Sequence, residues 1–139
     1  MDGLTLRGGK SAGGAMLSTA VIQAMVGVSR PEAAKTFYTE TLGLKLIMED
    51  QFTMLFAGQI GFLRAAKTPA VIPAATAVAA FGVPDVAAAV EALAAKGVKM
   101  ERFGFLQQDA AGVWTAPDGA RVAWLRDPDF NLLSIVQTG

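Results

Sequence analysis

Hydrophobic positions along this 139-residue chain follow two rhythms, and the alternation between them occurs twice. Residues 18–28 (STAVIQAMVGV) form an apolar run rich in β-branched side chains, short enough for a strand. Pro31 suits a first helical turn, with Ser29 just ahead as a candidate cap. Ala34, Phe37, Tyr38 and Leu42 then fall at i, i+3, i+4 and i+8, one apolar helical face, and Gly43 stops it. Residues 44–48, 52–56 and 60–65 read as three short strands, with Ala57-Gly58 as the turn between the last two.

After a linker at 67–73 the pattern restarts. Residues 75–83 predict a strand, Asp85 a cap, and Val86, Ala89, Val90 and Leu93 a second helical face that ends at Gly97. Residues 98–105, then 113–115 leading into 121–125, and finally 132–136 supply the remaining strands. Pro117-Asp118-Gly119 and Asp127-Pro128-Asp129 are turn signals. The order β-α-β-β-β therefore appears twice. Placing Val28 on Val83, an offset of 83 − 28 = 55, aligns Ala33-Ala34 with Ala88-Ala89, while the stops Gly43 and Gly97 lie 97 − 43 = 54 apart. Such near-equality is the mark of an internal duplication. The expected organisation is one α+β domain over 18–139, with modules at about 18–66 and 75–137, preceded by a flexible leader at 1–17. Each module has one helix on a short sheet, so neither closes a core alone.

Composition narrows the chemistry. Twelve basic and twelve acidic residues cancel, and no Lys/Arg cluster offers the field that nucleic acid or an anionic membrane requires. The hydrophobic fraction is 53%, yet no stretch reaches the ~18 consecutive apolar residues of a membrane span. Cysteine is absent, which removes disulfides, thiolate nucleophiles and thiolate-bound zinc. Histidine is absent too, which removes the commonest general base and metal ligand and any Ser-His-Asp or Cys-His arrangement. Gly9-Lys10-Ser11 lacks the earlier glycine and the preceding strand of a phosphate loop. No signal-type apolar core occurs in 1–17, so a cytoplasmic protein is the expectation.

Two motifs carry a resemblance. Ala34 followed by Phe37-Tyr38 and Leu42-Gly43, after a first strand, and Asp127-Pro128-Asp129-Phe130-Asn131-Leu132-Leu133, before a last one, resemble the vicinal oxygen chelate superfamily, the group of glyoxalase I, bleomycin-resistance protein and extradiol dioxygenase. The resemblance covers about 19–137. It implies paired βαβββ modules whose curved, barrel-like mixed sheet surrounds a cavity, often shared across a homodimer. Its enzymes place metal ligands on strands of that cavity. Carried over, those positions fall on Gln23, on Val78, on Ser134 and on a strand at 60–63 that offers no ligating side chain. Gln23 alone could coordinate, and one neutral amide oxygen does not make a catalytic divalent site, which takes about three protein ligands. No metal or other cofactor is therefore expected. Phe130 stands where the family has glycine in this turn, a costly substitution if its φ is positive.

Period-two alternation from Gln23 turns Val21, Met25 and Gly27 inward, with Thr76, Val78, Ala80 and Gly82 in the second module and Leu132 and Val136 beside Ser134. Phe52, Met54, Phe56, Phe62, Met100, Phe103, Phe105, Trp114 and Trp124 lie around them. Most phenylalanines and methionines in strands are core, so the tryptophans are the better candidates. The candidate ligand-binding set is Gln23, Met25, Phe56, Phe62, Phe103, Phe105, Trp114, Trp124 and Ser134. Arg64 and Arg126 could orient a ligand carboxylate or phenolate, although such residues more often serve as solvated strand ends or turn partners. Glu101 and Asp109 could act as bases, with no partner evident for either. Three functions compete: metal-independent binding of a small, flat, mostly apolar ligand by a homodimer, as in antibiotic or natural-product sequestration; a glyoxalase-type lyase or isomerase with an altered site; and a structural module whose cavity is filled. The first is favoured.

Overall fold

The computed structural model describes residues 16–138. The leader expected at 1–17, with the Gly9-Lys10-Ser11 segment, lies almost wholly outside the described residues. Eight strands and two helical segments follow in order: β1 (Gln23–Val28), α1 (Pro31–Thr36) continuing as a π-helical turn (Phe37–Thr41), β2 (Lys45–Glu49), β3 (Thr53–Ala57), β4 (Phe62–Lys67), β5 (Ala79–Gly82), α2 (Val86–Ala95), β6 (Trp114–Thr115), β7 (Arg121–Arg126) and β8 (Leu132–Gln137). They form two four-stranded mixed sheets, ordered β1-β4-β3-β2 and β5-β8-β7-β6. The second order is the first transposed by four, so the duplication legible in the sequence is a duplication of topology. The sheets do not close into a barrel within one chain.

Local chemistry accounts for the helices. The first starts at a proline, whose fixed φ suits an initial turn. Ser29 does not cap it: its main-chain N–H and hydroxyl both donate to the Asp129 carboxylate, and Arg30 is the cap residue, with no side-chain bond. Asp85 does cap α2, accepting from Ala88 N–H at 3.1 Å. Gly43 and Gly97 end the two helical segments at φ 79° and 84°, a region that favours glycine.

In each sheet one face packs on its helix and the other is open. Val26, Val28, Met54, Phe56, Leu63 and Ala65 from the first sheet join Ala79, Ala123, Leu125, Leu133 and Ile135 from the second in one core, with Tyr38, Val86, Val90 and Leu93 from the helical segments. Burying each of the larger side chains contributes about 1.5–3 kcal/mol. The two modules are thus back to back on a shared core, and both open faces look away from it.

A buried polar cluster joins the modules. Tyr38 hydroxyl donates to Asp127 Oδ2 at 2.6 Å, and Asn131 Nδ2 donates to the same oxygen at 2.9 Å and to Gly27 carbonyl at 2.8 Å. Asp127 Oδ1 accepts from the N–H groups of Asp129 and Asn131, each at 2.9 Å. The two motifs from opposite ends of the chain therefore meet in one carboxylate. Arg30 adds a bond to Pro128 carbonyl.

Three predicted elements are corrected. Residues 98–105 are not a strand. Glu101 N–H reaches Trp124 carbonyl at 2.7 Å, but Gln108 takes over the neighbouring main-chain groups, accepting from Phe103 N–H at 2.8 Å and donating to the Glu101 and Gly112 carbonyls. The first and fifth strands are also shorter than read: paired register starts only at Gln23 opposite Phe62 and at Ala79 opposite Leu133, with a single bond from Val78 N–H to Leu132 carbonyl, 2.9 Å, ahead of the latter.

Candidate functional site

Strand register fixes what each open face presents. In the first sheet Gln23 lies opposite Phe62, Met25 opposite Arg64, and Leu55 opposite Arg64 on the other side, with Met48 beyond Leu55 and Lys45 opposite Ala57. This face is apolar around its two cations: Met25 is 56% exposed and Met48 40%. Arg64 Nε donates to Gln23 Oε1 at 3.3 Å.

In the second sheet Trp124 lies between Ser134 and the Glu101 segment, Trp114 is opposite Val122, and Arg126 is opposite Leu132. Four rings form a continuous cluster here. Phe105 meets Phe103 at a centroid distance of 5.7 Å, Phe103 meets Trp124 edge-on at 5.3 Å, and Trp124 meets Trp114 at 6.2 Å. These spacings are those of favourable aromatic pairs. Phe105 is 83% exposed and both indoles are half-buried, so the cluster is a surface rather than a core. Glu101 Oε1 accepts from Arg126 Nε at 3.2 Å, and Arg126 Nη1 donates to Phe130 carbonyl at 3.0 Å.

The sequence-derived candidates thus separate into two groups within one chain. Gln23, Met25 and Phe62 share the first open face; Phe103, Phe105, Trp114, Trp124 and Ser134 share the second. Ser134 is buried beside Trp124, its hydroxyl 3.5 Å from Ala79 carbonyl. Phe56 is a correction. It is fully buried on the helix face and packs on Tyr38 at 5.3 Å, because the turn between β3 and β4 sets it opposite the core residue Leu63. Met54 is core for the same reason, opposite Ala65.

The remaining charged candidates are committed. Glu101 is paired to Arg126, and Asp109 Oδ1 accepts from the N–H groups of Ala111 and Val113, each at 2.9 Å, to close its own turn. Burial first, then the Asp127 carboxylate, pushes the Tyr38 hydroxyl far above the ordinary tyrosine range, so it remains a hydrogen-bond donor. Gln108, which holds the ring-bearing segment through three hydrogen bonds, carried no signal in the sequence: a lone loop glutamine has no motif. Phe130 does adopt positive φ, 65°, and is 67% exposed.

The donor set does not fit a divalent metal. Gln23 amide oxygen faces a guanidinium, which repels a second cation. Val78 and Ser134 hold the other positions, and among the described residues no three His, Cys, Asp or Glu side chains gather. A cavity of about 430 Å³, lined by Leu42, Leu44, Phe81, Ala89, Leu93 and Ile135, lies between the modules on the core side and belongs to neither open face.

Comparison with known proteins agrees with this architecture. A family model described as Glyoxalase/Bleomycin resistance protein/Dioxygenase superfamily matches residues 20–135. Among solved structures, an antibiotic binding protein from Streptomyces sp. CB03234 is 24% identical with TM-score 0.66, over 85% of this chain and 96% of that one. A bleomycin resistance determinant encoded on the transposon Tn5 is 21% identical with TM-score 0.68, over 84% and 96%. A lactoylglutathione lyase from Agrobacterium tumefaciens is 16% identical with TM-score 0.66, over 85% and 92%. No curated protein sequence matches the chain. Two transposed βαβββ modules on one core, with the Tyr38 and Asp127 motifs joined between them, place the chain in the glyoxalase/bleomycin resistance protein/dioxygenase superfamily, and it belongs to that family.

Proposed function

We propose that this protein binds a small, flat, mostly apolar molecule against the open face of its second sheet, without a metal, as a cytoplasmic homodimer. The observation that carries this reading is the chain of rings Phe105, Phe103, Trp124 and Trp114 on a surface that the core does not use. Rings held at these distances offer stacking area at little entropic cost to a planar guest. Gln23, Val78 and Ser134 at the family's ligand positions support independence from metal.

Half-open sheets support the dimer. Met25, Met48 and Phe105 are exposed on faces that look away from the core, and apolar area of this kind is characteristic of interaction surfaces. A second copy that sets its first open face against the second open face of its partner would enclose the rings and complete the cavity. Within this reading, sequestration of an antibiotic or natural product is the biological role, a role in keeping with the antibiotic-binding and bleomycin-resistance proteins that share the fold. A lyase is the weaker reading, since Glu101 and Asp109 are both occupied by structural partners.

The test is tryptophan fluorescence titrated with a panel of planar aromatic compounds, in the native chain and in Trp124→Leu. Saturable quenching by at least one compound, lost in the variant while circular dichroism is unchanged, is the expected result. A panel without any saturable quencher would remove the proposal.

A further inference from the structure

We propose that the bound molecule is an anion, a flat apolar body with one carboxylate or phenolate, and that Arg64 is the residue that receives the charge. This rests on the binding reading above, in which a second copy sets its first open face, and with it Arg64, against the rings, and it names the class of ligand for that shared site.

Charge is distributed unevenly over the two open faces. On the second face Arg126 is neutralised by Glu101 at 3.2 Å. On the first face register places Lys45 and Arg64, with Gln23, Met25, Leu55 and Phe62 around them and no acid among the paired strand residues described there. Arg64 takes part in none of the ion pairs found among the described residues. Asp50 feels its charge, but weakly. That carboxyl is held below the usual aspartate range first by the N–H groups of Phe52 and Thr53, and only last by Lys67 and then Arg64 acting through space. Its Oδ1 already accepts both N–H groups, at 2.8 and 2.9 Å.

Arg64 is nevertheless held in place. It lies mid-strand, half-buried, with Met25 and Leu55 on its two flanks, and Gln23 Oε1 accepts from its Nε. That leaves the two terminal nitrogens without a protein acceptor among the described residues. A guanidinium has five donors in a planar fork that matches a carboxylate in two bonds. One neutral amide uses a single donor and leaves the fork open. Gln23, which stands where the family places a metal ligand, is thus a positioning residue for an arginine. A fixed guanidinium supplies the positive charge in the same part of the fold.

Matched probes test this on the full chain in the presence of a chelator: naphthalene-2-carboxylate and naphthalene-2-carboxamide, the same rings with and without charge. Binding is measured by calorimetry. The carboxylate is expected to bind roughly 10-fold tighter, in the range of a charge-assisted bond at a half-buried site. Arg64→Gln abolishes the preference with little effect on the carboxamide. Gln23→Glu, which keeps the arginine but supplies an internal counter-ion, abolishes it too, so the conclusion does not depend on one variant folding well. Lys45→Gln retains most of it. Equal affinities in the native chain, or a preference that survives Arg64→Gln, would overturn the inference while leaving the binding reading intact. If Arg64→Gln instead dissociates the dimer and leaves the preference unchanged, the counter-ion is an acid of the second copy and the inference also fails. Binding of neither probe, while another planar compound of the wider panel quenches saturably, would overturn this inference alone; a panel without any quencher would remove the binding reading and this inference with it.

Discussion

Replacing Tyr38 with phenylalanine removes one oxygen from the centre of the contact between the modules. The ring loses nothing: Phe37 edge-on at 5.2 Å and Phe56 at 5.3 Å still pack on it. Asp127 Oδ2, however, is left with Asn131 Nδ2 as its protein donor, in a site only 4% exposed. A hydrogen bond to a charged group contributes about 1.5–3 kcal/mol, so Tyr38→Phe should lose about 2 kcal/mol. In urea denaturation this appears as a lower midpoint with an unchanged slope, and on heating as a fall of about 7 °C for a domain of this size. The pH dependence provides a second check. Tyr38 is raised by burial and by Asp127, so its contribution is complete below the unfolded tyrosine value of about 10 and is lost as pH rises above it. It is the chain's single tyrosine. The stability gap between native chain and variant should therefore narrow by about 1.4 kcal/mol from about pH 9 to pH 11. A loss below about 0.5 kcal/mol at neutral pH, or a gap constant with pH, would refute the assignment of this bond as the link between the modules.

Other substitutions follow from the same geometry. Phe130→Gly relieves a left-handed backbone cost of about 1–3 kcal/mol and forfeits about 0.5–1 kcal/mol of chain entropy, while an exposed ring gives up little burial. The variant should be more stable by roughly 0.5–1 kcal/mol in the same denaturation assay. Gln108→Ala removes three bonds to Glu101, Phe103 and Gly112 and should cost about 1–3 kcal/mol. Hydrogen exchange confined to the 101–113 segment should rise, and affinity for planar aromatics should fall several-fold with Trp124 still folded.

Much of the fold was legible because its two periods are distinct. The helical face at Ala34, Phe37, Tyr38 and Leu42 and the glycines that end both helices needed only local rules. What failed was non-local. Val98, Met100, Phe103 and Phe105 look like a strand by content, yet a strand needs a ladder, and here a glutamine side chain several residues later satisfies the main chain instead. Phe56 was assigned to the ligand set because faces cannot be carried from one strand to the next without the register. The turn before β4, which sets Phe56 opposite the core residue Leu63, decides it. Arg64 read as a strand end, and only its register opposite Met25 and Leu55 reveals that it stands mid-face. The Tyr38–Asp127 bond spans 89 residues, and each partner alone looked like ordinary packing or turn chemistry.

The central claim is that the ring-bearing face binds a planar molecule without any metal. Its most direct test is a calorimetric titration of one quenching compound into chelator-treated protein and into protein supplied with nickel, zinc, manganese or iron. The account predicts the same affinity, within about twofold, in every sample, as expected when no ligand bond to a metal is made. Binding that vanishes on chelation and returns with one of these metals would contradict it.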